Sequence, residues 1–188
     1  MKVIGIDPSL RNFGIVTADL DIEDFSFNIT EMKLVESEDN AKKQKTVRKN
    51  SDDLRRAKLL HTGLVKACEG ASFAFVEVPV GSQSARAMAS YGICVGVLAA
   101  CPIPMIQVTP TEVKLAGTGI KTATKDEMIQ AAVALHPYAP WLVRKSKGEL
   151  VLINDNEHLA DACFAIKAGI SSEQFRSAIA LLRGMKAA

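Results

Sequence analysis

The sequence predicts an α/β domain of five strands with helices among the later ones, and three observations carry that expectation. The chain opens with two apolar runs, Val3-Ile4-Gly5-Ile6 and Phe13-Gly14-Ile15-Val16, split by the turn-forming Asp7-Pro8-Ser9 and Leu10-Arg11-Asn12. That is the pattern of two antiparallel strands joined by a tight connection. Residues 72–76 form a short, continuous apolar run of the kind shown by a central strand covered on both faces. Helical spacings separate the later strands.

Taken in order, residues 25–35 alternate in period two and fit a third antiparallel strand. Residues 37–51 are polar and charged, a connection. Ser51 is the expected N-cap of a helix with Asp52 and Asp53 in its first turn, carrying Leu54, Leu59, Leu60, Leu64 and Val65 to Glu69 and ended by Gly70. The apolar run 72–76 delivers Glu77 at its end. Residues 84–100 read as a helix apolar nearly all round, with Ala85, Ala89, Gly92 and Gly96 at helical spacing. That flat face suits either packing on the sheet or a helix-to-helix contact between two copies. Pro102 and Pro104 stop it, and 105–108 is the fifth strand. A short helix with Pro110 near its first turn follows. After a loop over 117–125, Thr124-x-x-Glu127 is a capping-box signature for a helix to His136. Its amides and two lysines, Lys121 and Lys125, suit a phosphate. Residues 137–150, with Trp141 and Arg144-Lys145-Ser146-Lys147, read as irregular, and a last helix starts near Asn156.

At 188 residues the chain is expected to be one domain over 1–188. Its 48% hydrophobic and 23% charged content excludes a disordered chain. With no long apolar run and no charged leader before an h-region, the expected site is the cytoplasm, with no membrane partner. Cys68, Cys94, Cys101 and Cys163 include no C-x-x-C pair and are expected as reduced core thiols. Between residues 42 and 58 lie Lys42, Lys43, Lys45, Arg48, Lys49, Arg55, Arg56 and Lys58, opposed by Asp52 and Asp53. Such a run is either a solvated face or a surface for a phosphate backbone.

Asp7 and Glu77 each end a predicted strand, and His158 and Asp161, three apart, project from one face near a helix start. Singly these are a turn acid and a surface pair. Together they suggest converging acids, whose mutual repulsion a divalent cation removes. Oxygen-rich sites suit Mg²⁺, or Mn²⁺ when an imidazole joins, and two such ions support phosphodiester hydrolysis.

The ordered set Val3-Ile4-Gly5-Ile6-Asp7-Pro8-Ser9-Leu10 with Gly14, Phe75-Val76-Glu77-Val78-Pro79, Ser84-Ala85-Arg86 with Gly92 and Gly96, Val108-Thr109-Pro110-Thr111-Glu112-Val113-Lys114 with Gly117, Gly119 and Lys125, and His158-Leu159-Ala160-Asp161-Ala162 resembles the RuvC family of Holliday junction resolvases. The resemblance covers most of the chain outside residues 20–70 and the C-terminal tail. It implies a ribonuclease H-like fold, a five-stranded mixed sheet with its first three strands antiparallel, flanked by helices. It also implies a homodimer that cuts four-way DNA junctions with Mg²⁺, two ions per site, leaving 5′ phosphates and using no nucleotide cofactor. Carried over residue by residue, Asp7 matches the acid bridging both metals and Glu77 the second acid. Asp161 matches the acid of the last helix, and His158 stands where members have Asp or His, as ligand or general base. Lys114, Lys121 and Lys125 lie in the segment that supplies DNA-contacting lysines, and Arg86 is a further DNA-binding candidate.

Two departures stand out. Where cellular members carry a junction-wedging aromatic, this chain reads Val78-Pro79-Val80-Gly81, and the basic insert is atypical. Both would suit a phage-type member, acting in a bacterial or phage-infected cell on several branched DNAs. Rival classes are a ribonuclease H-like nuclease of structured RNA and a non-catalytic DNA-binding scaffold. A nucleotide-binding protein of the actin and Hsp70 type needs a larger, duplicated architecture.

Overall fold

The computed structural model describes residues 1–40, 48–78, 81 and 83–187. Lys42, Lys43 and Lys45 of the basic run, and Pro79 and Val80 of the stretch lacking an aromatic, lie outside the described residues. The main sheet contains β1 (Lys2–Asp7), β2 (Asn12–Leu20), β3 (Phe27–Glu36), β4 (Phe73–Glu77) and β5 (Met105–Val108) in the order β3-β2-β1-β4-β5. The first three strands pair antiparallel, and β4 lies parallel to both β1 and β5. This is the five-stranded mixed sheet, with its first three strands antiparallel, that the family resemblance implies.

Six helices are described: α1 (Lys49–Cys68), α2 (Ala85–Ala99), α3 (Pro110–Thr118), α4 (Lys125–Leu135), α5 (Asn156–Ile170) and α6 (Glu173–Ala187). Side chains alternate across the sheet, so β1 serves two cores at once. Val3 faces α5 and α6, packing with Phe75, Leu159, Ala162, Cys163, Ile166 and Phe175. Ile4 and Ile6 face α1 and α2, packing with Leu60, Leu64, Cys94, Val97 and Leu98. By the same alternation Gly5 and Asp7 point to the α5 side.

Three local expectations are corrected. The helix expected to begin at Ser51 begins at Lys49, so Ser51 lies within it, and its N-cap Arg48 makes no side-chain cap. Asp52 is instead buried, accepting from Arg55 and from the Asn40 amide. The third strand starts at Phe27, because Phe25 takes a left-handed backbone, φ 61°. The span read as irregular holds a hairpin, β6 (Val143–Ser146) with β7 (Glu149–Leu152). Its two-residue turn has φ 50° at Lys147 and φ 91° at Gly148, the primed geometry that matches strand twist. Of the two readings open for the small-residue face, packing on the sheet does not hold: Ala85, Ala89, Gly92 and Gly96 are all exposed, and Cys94, Val97 and Leu98 face the core. The capping box at Thr124 and Glu127 forms as predicted, and Thr109 with Glu112 makes another. All four cysteines are free, three buried and Cys101 half-buried.

Candidate metal centre

Strand register builds the site. Ile6 lies beside Val76 in the parallel β1–β4 pair, so the next residues, Asp7 and Glu77, emerge side by side at the C-terminal edge of the sheet. In open α/β sheets that edge is where ligands bind. Both side chains point to the face covered by α5.

Two glycines set how closely α5 approaches. A Cβ on Gly5 would meet the Ala162 carbonyl oxygen at 2.0 Å, and one on Gly14 would meet the His158 carbonyl oxygen at 2.3 Å. Those clashes are with backbone, which cannot swing aside. The helix therefore rests directly on β1 and β2, with its first turns over Asp7. The N-terminal end is also tied sideways, by Asn12 Nδ2 donating to Asp155 Oδ1 at 3.3 Å. Gly14→Ala should lift the start of α5, destabilising the protein by roughly 1–3 kcal/mol and lowering turnover more than an equally destabilising change elsewhere. Melting and single-turnover measurements on the same preparation check this; unaltered turnover would mean the close approach is dispensable.

His158 Nδ1 lies 2.6 Å from Asp7 Oδ2. A carboxylate only accepts, so the proton sits on Nδ1 and the ring donates. Nε2 then faces Glu157 Oε1 at 3.5 Å. Burial pulls the His158 pKa down, but the Asp7 hydrogen bond and the charges of Asp7, Glu157 and Asp161 outweigh it, and the net shift is upward.

The two remaining acids feel the crowding. Burial, then the charges of Asp7 and Asp161, push Glu77 up to about 8, against a small opposing pull from Lys114. Burial and the Asp7 charge push Asp161 up to about 7, with His158 and Lys114 opposing and Glu157 adding to the rise. Asp7, Glu77, His158 and Asp161 therefore form one electrostatic unit, as their positions in the sequence suggest. Among the described residues, however, no three His, Cys, Asp or Glu side chains already stand as a finished cation cage. The acids sense one another without closing up, as mutually repelling carboxylates do. Their chemistry fits a hard divalent cation: carboxylate oxygens, one imidazole and unneutralised negative charge in a partly buried place.

The predicted lysines divide. Lys114, half-buried on α3, is near enough to oppose the shifts of both Glu77 and Asp161. Lys125 Nζ is 2.6 Å from Glu157 Oε2, beside His158. Lys121 is exposed in the loop between α3 and α4. Both terminal nitrogens of Arg86 donate to Asp53, at 2.6 and 2.7 Å, so its fork joins α2 to α1. Glu157 was missed by sequence reasoning. Its signal was present, an acid in the first turn of a helix next to His158, but first-turn acids are common for reasons of helix dipole alone.

No family model matches the chain. Among curated proteins it is similar to the crossover junction endodeoxyribonuclease RuvC of Synechococcus sp. (strain CC9605), 26% identical over 133 residues, covering 71% of this chain and 82% of that protein. Among solved structures it is similar to T. thermophilus RuvC in complex with a Holliday junction substrate, with TM-score 0.64 and 17% identity over 94% of this chain and 96% of that one. Another Thermus thermophilus RuvC structure gives TM-score 0.62 and 18% identity over 96% and 97%. The yeast mitochondrial Holliday junction resolvase Ydc2 gives TM-score 0.60 and 13% identity over 97% of this chain and 82% of that one. These structural likenesses carry the fold, which is ribonuclease H-like. The sequence likeness to a RuvC protein runs through that same fold, so in both sequence and architecture the chain is similar to RuvC proteins.

Proposed function

We propose that this chain, a single nuclease domain over residues 1–188, is a metal-dependent, structure-selective endonuclease that cuts Holliday junctions and other branched DNA. One observation carries the reading: Asp7 and Glu77 end neighbouring parallel strands under the helix bearing His158 and Asp161, and the Asp7 charge raises the proton affinity of both Glu77 and Asp161. Asp7, Glu77, Asp161 and His158 would hold two Mg²⁺ ions, with Mn²⁺ as a substitute. Bound ions supply activation of the attacking water and stabilisation of the leaving 3′ oxygen, giving 5′-phosphate ends.

The chain's own groups do the rest. His158 holds Asp7 in orientation through its Nδ1 proton and leaves Nε2 as ligand or proton acceptor. Lys114 brings a positive charge beside Glu77 and Asp161, placed to orient the scissile phosphate. Lys125 exchanges Glu157 for a phosphate oxygen, and Lys121 adds a further backbone contact from its loop. Replacing Lys121 and Lys125 with Ala should weaken binding across DNA substrates and reduce the salt slope by about 0.9 for each phosphate that is no longer neutralised. Titrations at several salt concentrations measure it, and an unchanged slope would exclude both from the interface.

A homodimer follows from the need to cut two strands. The exposed Gly92 and Gly96 on α2, and a mostly apolar groove of about 570 Å³ between α1 and α2 lined by Leu54, His61, Ile93 and Val97, support a second copy as its occupant. The absence of an aromatic from residues 78–81 supports a phage-type member of relaxed junction choice, acting in the cytoplasm of a bacterial or infected cell. Among the described residues no helix is long and apolar enough to cross a membrane.

Labelled four-way junction, flap, linear duplex and structured RNA, each with Mg²⁺, test the proposal. Paired nicks in the junction arms are the expected result. Cleavage confined to RNA would transfer the chain to the RNA-processing reading, and binding without cleavage to the scaffold reading.

A further inference from the structure

The β6–β7 hairpin has a composition that the fold does not use. Cross-strand partners share a face, so the pairs Val143 with Leu152 and Lys145 with Leu150 put three aliphatic side chains and one lysine on one side. Val143 is 49%, Leu150 67% and Leu152 37% exposed, and Val151 on the other side is 42% exposed. Among the described residues none of the four joins a core cluster. A two-stranded hairpin is marginal in water by itself, and one with its apolar side bare is expected to have its partner outside the chain.

The hairpin is nonetheless firmly mounted. Asn156, fully buried at the first position of α5, accepts from the Leu142 amide at 2.9 Å and donates to the Leu142 and Ile153 carbonyls at 2.8 and 3.0 Å. Ile153 N donates to Leu142 O as well, closing the base. Both ends of the hairpin are thus clamped to the turn of helix that carries His158. From this base its four-residue strands reach about 13 Å, comparable to the width of a DNA major groove.

Charge decides the partner. Arg144, Lys145 and Lys147 are opposed within the hairpin by Glu149 alone, and among the described residues none of the three cations makes an ion pair. Cations beside exposed aliphatic side chains match a nucleic acid whose bases are partly unstacked. Phosphates take the cations, and an apolar side chain such as Leu can press against or between base faces. An intact duplex hides those faces, whereas a branch point bares them.

We propose that the β6–β7 hairpin reads the branch, laying Arg144, Lys145 and Lys147 along phosphates and Leu150, with Val143 and Leu152, against bases exposed where the arms part. The inference rests on the DNA-cleavage reading above. It is tested in the full chain with Ca²⁺, using a four-way junction carrying 2-aminopurine beside the crossover and a linear duplex of the same sequence. Val143→Ser with Leu150→Ser, both at exposed positions, should lower junction affinity about tenfold while leaving duplex affinity and melting temperature unchanged, and should remove the 2-aminopurine signal. Arg144→Ala, Lys145→Ala and Lys147→Ala together should weaken both DNAs and flatten the salt dependence. If the apolar variant keeps the wild-type preference and signal, the hairpin does not read the branch. If it changes sedimentation but not DNA preference, the face is a contact between copies and the proposal falls. A wild-type chain that neither prefers nor cuts junctions removes the cleavage reading itself, an outcome separate from failure of the hairpin alone.

Discussion

Asp7→Asn should lower junction cleavage by on the order of a thousandfold while leaving junction binding in Ca²⁺ within a few-fold of wild type. The substitution keeps the shape of the side chain and removes its charge. Its position makes the effect large, because Asp7 touches His158 directly and contributes to the shifts of both Glu77 and Asp161. A second readout separates this role from simple damage. With the Asp7 charge gone, Glu77 and Asp161 lose a neighbour that raises their pKa values, so the variant's stability should depend less on pH than the wild type's. Turnover at the wild-type rate would take Asp7 out of the mechanism, and a collapsed melting temperature at every pH would mark a folding defect instead.

In the absence of divalent ions, the melting temperature should fall as pH rises from about 5 to 8.5, and saturating Mg²⁺ or Ca²⁺ should abolish most of that fall. Glu77 titrates near 8 in the folded chain against an ordinary 4.5, and Asp161 near 7 against 3.8. Between those limits the folded state binds more protons than the unfolded one. Stability is therefore fully present at low pH and is lost as pH climbs through the folded values. Ionising one buried carboxyl shifted this far costs on the order of 4 kcal/mol, which for a chain of this size is roughly 10 °C. The two acids repel each other, so their contributions do not add. A dication binds the ionised folded site and not the unfolded chain, so the gap between melting curves with and without metal should widen with pH and close near pH 5. Identical curves with and without metal at pH 8.5 would argue against any metal centre here.

The parts of this molecule legible in its sequence are those governed by short-range periodicity. Strand alternation, the continuous apolar run ending at Glu77, the small-residue face of α2 and the capping box at Thr124 all depend on neighbours within a few positions. The acids were legible for the same reason, since each ends an element. What escaped was decided by contacts between distant segments. The hairpin at 143–152 was hidden because its strands are short and basic and its turn is Lys147-Gly148 rather than Asn-Gly. The pairing of Arg86 with Asp53, thirty-three positions away, is equally invisible to local pattern. Glu157 is one of several first-turn acids until Lys125 and His158 close on it.

By itself, then, the sequence determined the five strands of the main sheet and the helices between them, that Asp7 and Glu77 each end a strand, and the resemblance that makes a nuclease the natural reading. Only the tertiary structure decided that α5 lies close enough for His158 to hold Asp7, since that spacing depends on the missing Cβ atoms of Gly5 and Gly14 against backbone more than 140 residues away. Hydrophobic pattern specifies which face is buried; it carries no information on how near two buried faces come, and the charge coupling of this site depends on that distance.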